Sequence, residues 1–286
     1  MNKTSSPKIL PKPSWIRVKT PSGLDFNRTR DLVRQSGLPT ICESALCPNR
    51  AECWRNGTAT FLLLGDVCTR HCSFCAVKGG RPAAPDDLEP QRVAEAVEKM
   101  GLKHAVLTSV ARDDLPDGGA SYFYATVNAV KKRNPSCTVE ILVPDFQGNW
   151  EALDHLMKAD IAILNHNLET VPRLYSRLRS QAVYERSLEL LRRARRPGVK
   201  TKSGIMLGVG EEKEEVMSLM EDLRKTGCSI LTIGQYLQPN RRLHPVVRYV
   251  SMEEFADYKE WGKRMGYEHV ESTPFARSSY HAWKQV

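Results

Sequence analysis

The stretch Thr60-Phe-Leu-Leu-Leu-Gly-Asp-Val-Cys68-Thr-Arg-His-Cys72-Ser-Phe-Cys75 sets the reading of the chain. Its apolar run, residues 60–64, stops at Gly65-Asp66 and is followed at once by three cysteines spaced CxxxCxxC. A run of that length bounded by turn residues reads as a buried strand. Three thiolates at this spacing can take three corners of an iron–sulfur cubane and leave the fourth iron without a protein ligand. Zinc is a competing reading, although zinc motifs more often pair two CxxC halves. A redox dithiol at Cys72 and Cys75 is another. The strand immediately before the cysteines favours the cluster.

Downstream, short β-rich runs alternate with helical periodicity. Helices are predicted over 91–100, 121–133, 150–158, 184–195, 212–226 and 252–265. Strands are predicted over 104–109, 138–143, 161–165, 199–207, 229–233 and 267–270. Strands joined through helices need right-handed crossovers, so they should lie parallel, with the chemistry at their C-terminal ends. Six strand–helix units, rather than eight, indicate an α/β fold in the form of a partial (β/α)6 barrel over residues 58–270. A doubly wound open sheet is the alternative. Residues 1–57 and 271–286 fall outside the repeat, as N-terminal and C-terminal extensions.

At 286 residues with 41% hydrophobic side chains, the chain can bury a substantial core, and it has no apolar stretch long enough to span a bilayer. The first twenty residues are basic and proline-containing and lack an apolar signal-peptide core, so a cytoplasmic location is expected. Six of the eight cysteines lie between Cys42 and Cys75, which favours metal binding over a disulfide framework. Cys137 and Cys228 stand apart and read as buried small hydrophobes. The net charge of +9 favours an acidic partner or is simply a solvated basic surface. The run Arg192-Arg-Ala-Arg-Arg196 is most economically an exposed helix face, with docking of an acidic carrier as the lesser alternative.

CxxxCxxC with Phe74 before its last cysteine resembles the signature of radical S-adenosylmethionine (SAM) enzymes. In that family the open iron chelates SAM, and one-electron cleavage yields a 5'-deoxyadenosyl radical that abstracts hydrogen from unactivated C–H bonds. A second triad, Cys42-Glu-Ser-Ala-Leu-Cys47-Pro-Asn-Arg-Ala-Glu-Cys53, is CxxxxCxxxxxC. Taken alone it is a moderate metal signal; its spacing resembles lipoyl synthases. So do Thr108-Ser-Val-Ala-Arg-Asp-Asp-Leu115, Glu140-Ile-Leu-Val-Pro-Asp-Phe146, Asn165-His-Asn-Leu-Glu-Thr170, Thr201-Lys-Ser-Gly204 and Gly234-Gln-Tyr-Leu-Gln-Pro239.

The resemblance implies two [4Fe-4S] clusters and SAM as cofactors. Cys68, Cys72 and Cys75 would hold the radical-generating cluster. Cys42, Cys47 and Cys53 would hold an auxiliary cluster, completed by Ser279 of Arg277-Ser-Ser-Tyr280, a tail that would otherwise pass as solvated. The implied reaction is insertion of two sulfur atoms, from the auxiliary cluster, at C6 and C8 of an octanoyl group on a lysine of a lipoyl carrier domain. That carrier would be the glycine cleavage H protein or a 2-oxoacid dehydrogenase E2 subunit, and a ferredoxin or flavodoxin would be the reductant. Neither nucleic acid nor membrane is expected as a partner. Phe74, Thr108, Ser109, Glu140, Asn165 and Lys202 fall in or near strand C-termini and are candidate SAM contacts, each with packing as the alternative. A biotin-synthase-like enzyme would share the first triad but lack the second triad and the RSSY tail. A metal- or nucleic-acid-binding protein would leave the barrel pattern unexplained.

Overall fold

Every residue of Thr60–Leu63 is buried, as a strand covered on both faces requires. In the computed structural model, which describes residues 10–18 and 20–285, this strand (β1) is one edge of a seven-stranded parallel sheet. The other strands, in sheet order, are β4 (His104–Ser109), β5 (Thr138–Leu142), β6 (Ile163–Asn165), β7 (Lys200–Leu207), β8 (Ile230–Gln235) and β9 (His269–Ser272). Each pairs in parallel with its neighbour in that order, so consecutive units lie side by side. The order leaves β1 and β9 as edges, as an open barrel does. A two-residue parallel pair, β2 (Val67–Cys68) and β3 (Lys78–Gly79), closes the loop between them.

The helices between the strands of the main sheet are α4 (Glu89–Met100), α5 (Ala120–Arg133), α6 (Trp150–Leu156), α7 (Tyr175–Leu178) with α8 (Tyr184–Arg193), α9 (Lys213–Lys225) and α10 (Met252–Arg264). Helix α4 begins two residues before the predicted start. Pro90 is tolerated in its first turn, and the buried Glu89 carboxylate accepts the backbone N–H of Leu64 (2.9 and 3.1 Å), tying the helix start to the end of β1. The last strand lies two residues later than predicted. Tyr267 belongs to the turn after α10: its N–H donates to the Gly262 carbonyl and its hydroxyl to that of Met220.

Ahead of the barrel stand α1 (Leu24–Ser36), α2 (Ile41–Ser44) and α3 (Arg50–Arg55). Their small core stacks Phe26 on Trp54 (5.3 Å between ring centres) together with Val33, Cys42 and Ala59. It joins the barrel edge where Leu62 N–H donates to the Pro39 carbonyl (2.9 Å). Truncating Trp54 to alanine in such a core costs about 3–5 kcal/mol. The start of the basic N-terminal segment, residues 1–9, lies outside the described residues.

Candidate active site

The loop carrying Cys68, Cys72 and Cys75 is pinned at both ends and along its length. Gly80 N–H donates to the Cys68 carbonyl (2.9 Å), Ser73 N–H to Leu178 (3.0 Å), and His71 N–H to the Gln181 side chain (2.9 Å). Arg70, inside the motif, makes a two-pronged ion pair with Asp113 (2.7 and 2.9 Å) and reaches Asp145 (2.5 Å), which also receives Arg186 (3.2 Å). One guanidinium therefore ties the cysteine loop to the loops that follow β4 and β5. Cys68 Sγ accepts the backbone N–H groups of Arg70 (3.4 Å) and Ala111 (3.3 Å), the kind of hydrogen bond that tunes sulfur ligands in cluster sites.

Cys68 and Cys72 face a cavity lined also by Thr108, Ser109, His166, Asn167, Glu169 and Arg179. Thr108 donates its hydroxyl to the Leu142 carbonyl (3.0 Å). Ser109 Oγ and Arg179 Nε are buried and have no hydrogen-bond partner among the described residues, so this wall offers polar atoms to a ligand. Glu169 adopts a left-handed backbone (φ 66°) that a non-glycine residue holds only under constraint. Its N–H donates to the Gly204 carbonyl (2.9 Å), and its own carbonyl accepts Met206 N–H (2.8 Å). Burial raises its carboxyl pKa above the ordinary range against the opposing pull of Arg179.

The second triad surrounds a separate cavity with Ser279, Arg277, Tyr280, His104 and Val106. Cys42 lies on α2 and Cys53 on α3. Cys47 follows Leu46, whose left-handed backbone (φ 52°) closes the turn in which Cys47 N–H donates to the Cys42 carbonyl (3.1 Å). Burial, with the neighbouring cysteines, pushes Cys42 up to about 11 and Cys53 up to about 12; burial likewise pushes Cys75 up to about 12 and raises Cys72. These four thiols are therefore held protonated while free, and loading either site releases their protons. Among the described residues no three His, Cys, Asp or Glu side chains converge on one point as a single ion would need. The triad of the second site is instead distributed around its cavity, which fits a cubane that takes one thiolate per iron.

The candidate residues thus divide between the two cavities and the packed interior, while Cys75, half-buried, lines neither cavity. Thr108 and Ser109 join Cys68 and Cys72 at the first cavity, and Cys42, Cys47, Cys53 and Ser279 share the second. Phe74 packs against the core. Glu140, Asn165 and Lys202 line neither cavity: Glu140 accepts Asn165 Nδ2 (3.1 Å) and Lys202 Nζ (3.0 Å) in a fully buried cluster, 3.6 Å from His104 Nε2. Arg70, Asn167, Glu169 and Arg179 went unpicked from sequence. For Asn167 and Glu169 the available signal was their place just beyond β6.

A partial barrel with a CxxxCxxC loop just after its first strand defines a radical SAM fold, and the sequence model of the radical SAM superfamily matches residues 62–223. Solved structures share the fold at low identity: methylornithine synthase (TM-score 0.55, 14% identity, 76% of this chain and 72% of that one) and coproporphyrinogen III oxidase of Escherichia coli (0.53, 13%, 71% and 51%). The chain is 54% identical over 277 residues to the lipoyl synthase of Rubrobacter xylanophilus, covering 96% of this chain and 86% of that protein. To the lipoyl synthase of Chlorobium chlorochromatii it is 55% identical (95% and 93% covered), and to the mitochondrial lipoyl synthase of Nematostella vectensis 51% (96% and 95%). The chain belongs to the lipoyl synthase family of radical SAM enzymes.

Proposed function

We propose that this chain makes lipoyl groups with its two triads in separate roles. Cys68, Cys72 and Cys75 hold the radical-generating [4Fe-4S] cluster and Cys42, Cys47, Cys53 and Ser279 the sulfur-donating one. The reaction inserts sulfur at C6 and C8 of an octanoyl group carried on a lysine of a lipoyl carrier domain. When bound, the clusters and SAM supply one-electron chemistry able to break unactivated C–H bonds, together with the sulfur that replaces the hydrogen. The chain's residues bind and orient. Thr108, Ser109, Asn167, Glu169 and Arg179 offer polar partners beside the first triad, and Ser279 offers a hydroxyl opposite the second. A hydroxyl is a harder ligand than thiolate and a poorer match for such iron, so the corner it holds is the labile one, as a site that surrenders sulfide requires.

The observation that carries this reading is the convergence of the three N-terminal cysteines and the C-terminal serine on one cavity. In this arrangement the N-terminal extension (residues 1–57) supplies three of the donor-site ligands and the C-terminal tail (271–286) the fourth, with residues 58–270 as the radical barrel. The substrate domain is supplied by the glycine cleavage H protein or a 2-oxoacid dehydrogenase E2 subunit, and electrons come from a ferredoxin or flavodoxin. A cytoplasmic, reducing location is supported by the free cysteines. Among the described residues no helix is long and apolar enough to cross a membrane.

Anaerobic iron and sulfide analysis tests the assignment. Changing Cys68, Cys72 and Cys75 together to alanine should leave about half the iron and abolish SAM cleavage. Zinc, or a single cluster in the fully reconstituted wild type, would refute it.

A further inference from the structure

The segment after β9 crosses the barrel mouth to reach the donor cavity, and several elements seat it. Gln235 N–H donates to the Pro274 carbonyl (3.1 Å), Asn49 Nδ2 to that of Phe275 (2.7 Å), and Arg277 to those of Ala276 (2.6 Å) and Gln235 (3.0 Å). Two strand glycines leave it room. A Cβ on Gly234 would stand 2.2 Å from the Ala276 carbonyl oxygen, and one on Gly204 would stand 2.8 Å from Asn167 Oδ1 and 3.0 Å from Ser278 Oγ. Ser279 lies in a turn closed by Tyr280 N–H donating to the Arg277 carbonyl (2.9 Å).

The residues on either side of Ser279 are held by opposite walls. Ser278 Oγ donates to Asn167 Oδ1 (2.8 Å), and Asn167 is itself braced by Nδ2 donating to Glu169 (3.0 Å). Tyr280 Oη donates to Glu52 Oε1 (2.6 Å), one residue before Cys53 on α3. A hydroxyl binds iron too weakly to order this segment on its own against the backbone entropy that ordering each residue costs. The orientation must come from the neighbours.

We propose that Glu52 and Asn167 are positioning residues for Ser279, gripping Tyr280 and Ser278 so that the serine hydroxyl stays presented to the cysteine-lined cavity. This rests on the reading of Ser279 as a ligand of the donor cluster. The test uses the full chain with Cys68, Cys72 and Cys75 changed to alanine, so that only the donor site holds iron. In that background Glu52→Ala, Glu52→Gln, Tyr280→Phe, Asn167→Ala and Ser279→Ala are compared by Mössbauer spectroscopy, by iron release to a chelator and by hydrogen exchange of amides 277–285.

Glu52→Ala, Tyr280→Phe and Asn167→Ala should lose the distinct oxygen-ligated iron, release iron about tenfold faster and exchange the tail amides faster. Glu52→Gln, whose carbonyl still accepts the Tyr280 hydroxyl, should keep the wild-type spectrum. Wild-type spectra in Tyr280→Phe and Asn167→Ala, or a loss in Glu52→Gln as full as in Glu52→Ala, overturns the proposal. Should Glu52→Ala fail to fold, Tyr280→Phe decides. An unchanged spectrum in Ser279→Ala would instead remove the ligand reading itself.

Discussion

Lys202 Nζ lies 3.0 Å from Oε1 and 3.3 Å from Oε2 of Glu140, and neither side chain has exposed surface. Burial pushes the Glu140 carboxyl pKa up, but Lys202 and His104 outweigh it and hold the carboxyl below its ordinary range. A buried pair of this kind is costly to break and inexpensive to replace whole. Glu140→Ala, which strands the ammonium, should lower stability by about 3–5 kcal/mol. Replacing the pair whole, as Glu140→Gln together with Lys202→Met, should recover most of that loss. Denaturant midpoints of the reduced, cluster-free chain measure both, and equal losses in the single and double variants would contradict the account.

His166 gives the fold an acid-sensitive point. Its ring lies between the Val143 carbonyl (2.8 Å from Nδ1) and Ser187 Oγ (3.0 Å from Nε2), and burial, with Arg179 nearby, lowers its pKa to about 4. The neutral ring, with Nδ1–H donating to Val143, satisfies both contacts. The folded state therefore binds fewer protons than the unfolded one between pH 6.5 and 4. The stabilisation is complete above pH 6.5 and is lost as pH falls towards 4, amounting to about 2 kcal/mol at pH 5. His166→Gln does not titrate, so its deficit against wild type should narrow by about that amount between pH 7.5 and 5. A constant deficit would clear His166 of the effect.

The barrel and the first triad were legible because both signals are local. The run 60–64, the helix periodicities and CxxxCxxC each occupy one short window, and the observed strands lie within two or three residues of their predicted bounds. Helix α1 was not read: of its thirteen residues only Phe26, Thr29 and Val33 are buried, too few for a visible stripe. Strands β2 and β3 are too short for any period. Glu140 and Lys202 each lie third in their strands, a layer below the strand ends where cofactor contacts were expected, as the predicted bounds 138–143 and 199–207 already implied. The tail's seat was also out of reach, since Asn49–Phe275 and Glu52–Tyr280 join residues 226 and 228 positions apart.

Ser279→Cys separates holding the donor cluster from spending it. A thiolate matches iron–sulfur iron better than a hydroxyl, so the replaced corner should be firmer. Iron release to a chelator should slow, and lipoyl formation should fall by on the order of tenfold, while SAM cleavage continues. Chelation rates and mass analysis of an octanoylated carrier domain supply the two readings. Lipoyl formation at the wild-type rate would mean that lability at this corner does not limit sulfur release.

Arg70 is the place where geometry, more than charge, should govern the radical site. Its planar fork meets both oxygens of Asp113 while a terminal nitrogen also reaches Asp145, so one side chain fixes the cysteine loop against two strand-end loops. Lysine keeps the charge but offers a single point of donation and cannot span both carboxylates. Losing one or two hydrogen bonds to charged groups, each worth about 1.5–3 kcal/mol, should loosen the wall that carries Cys68 and Cys72. Arg70→Lys should therefore weaken SAM binding by roughly tenfold to a hundredfold, measured by equilibrium dialysis on the cluster-loaded enzyme. Donor-site iron should be unchanged, because none of the contacts made by Arg70 reaches the second triad. Equal losses of iron from both sites would show instead that Arg70 supports the barrel as a whole, and unchanged SAM affinity would show that charge alone suffices.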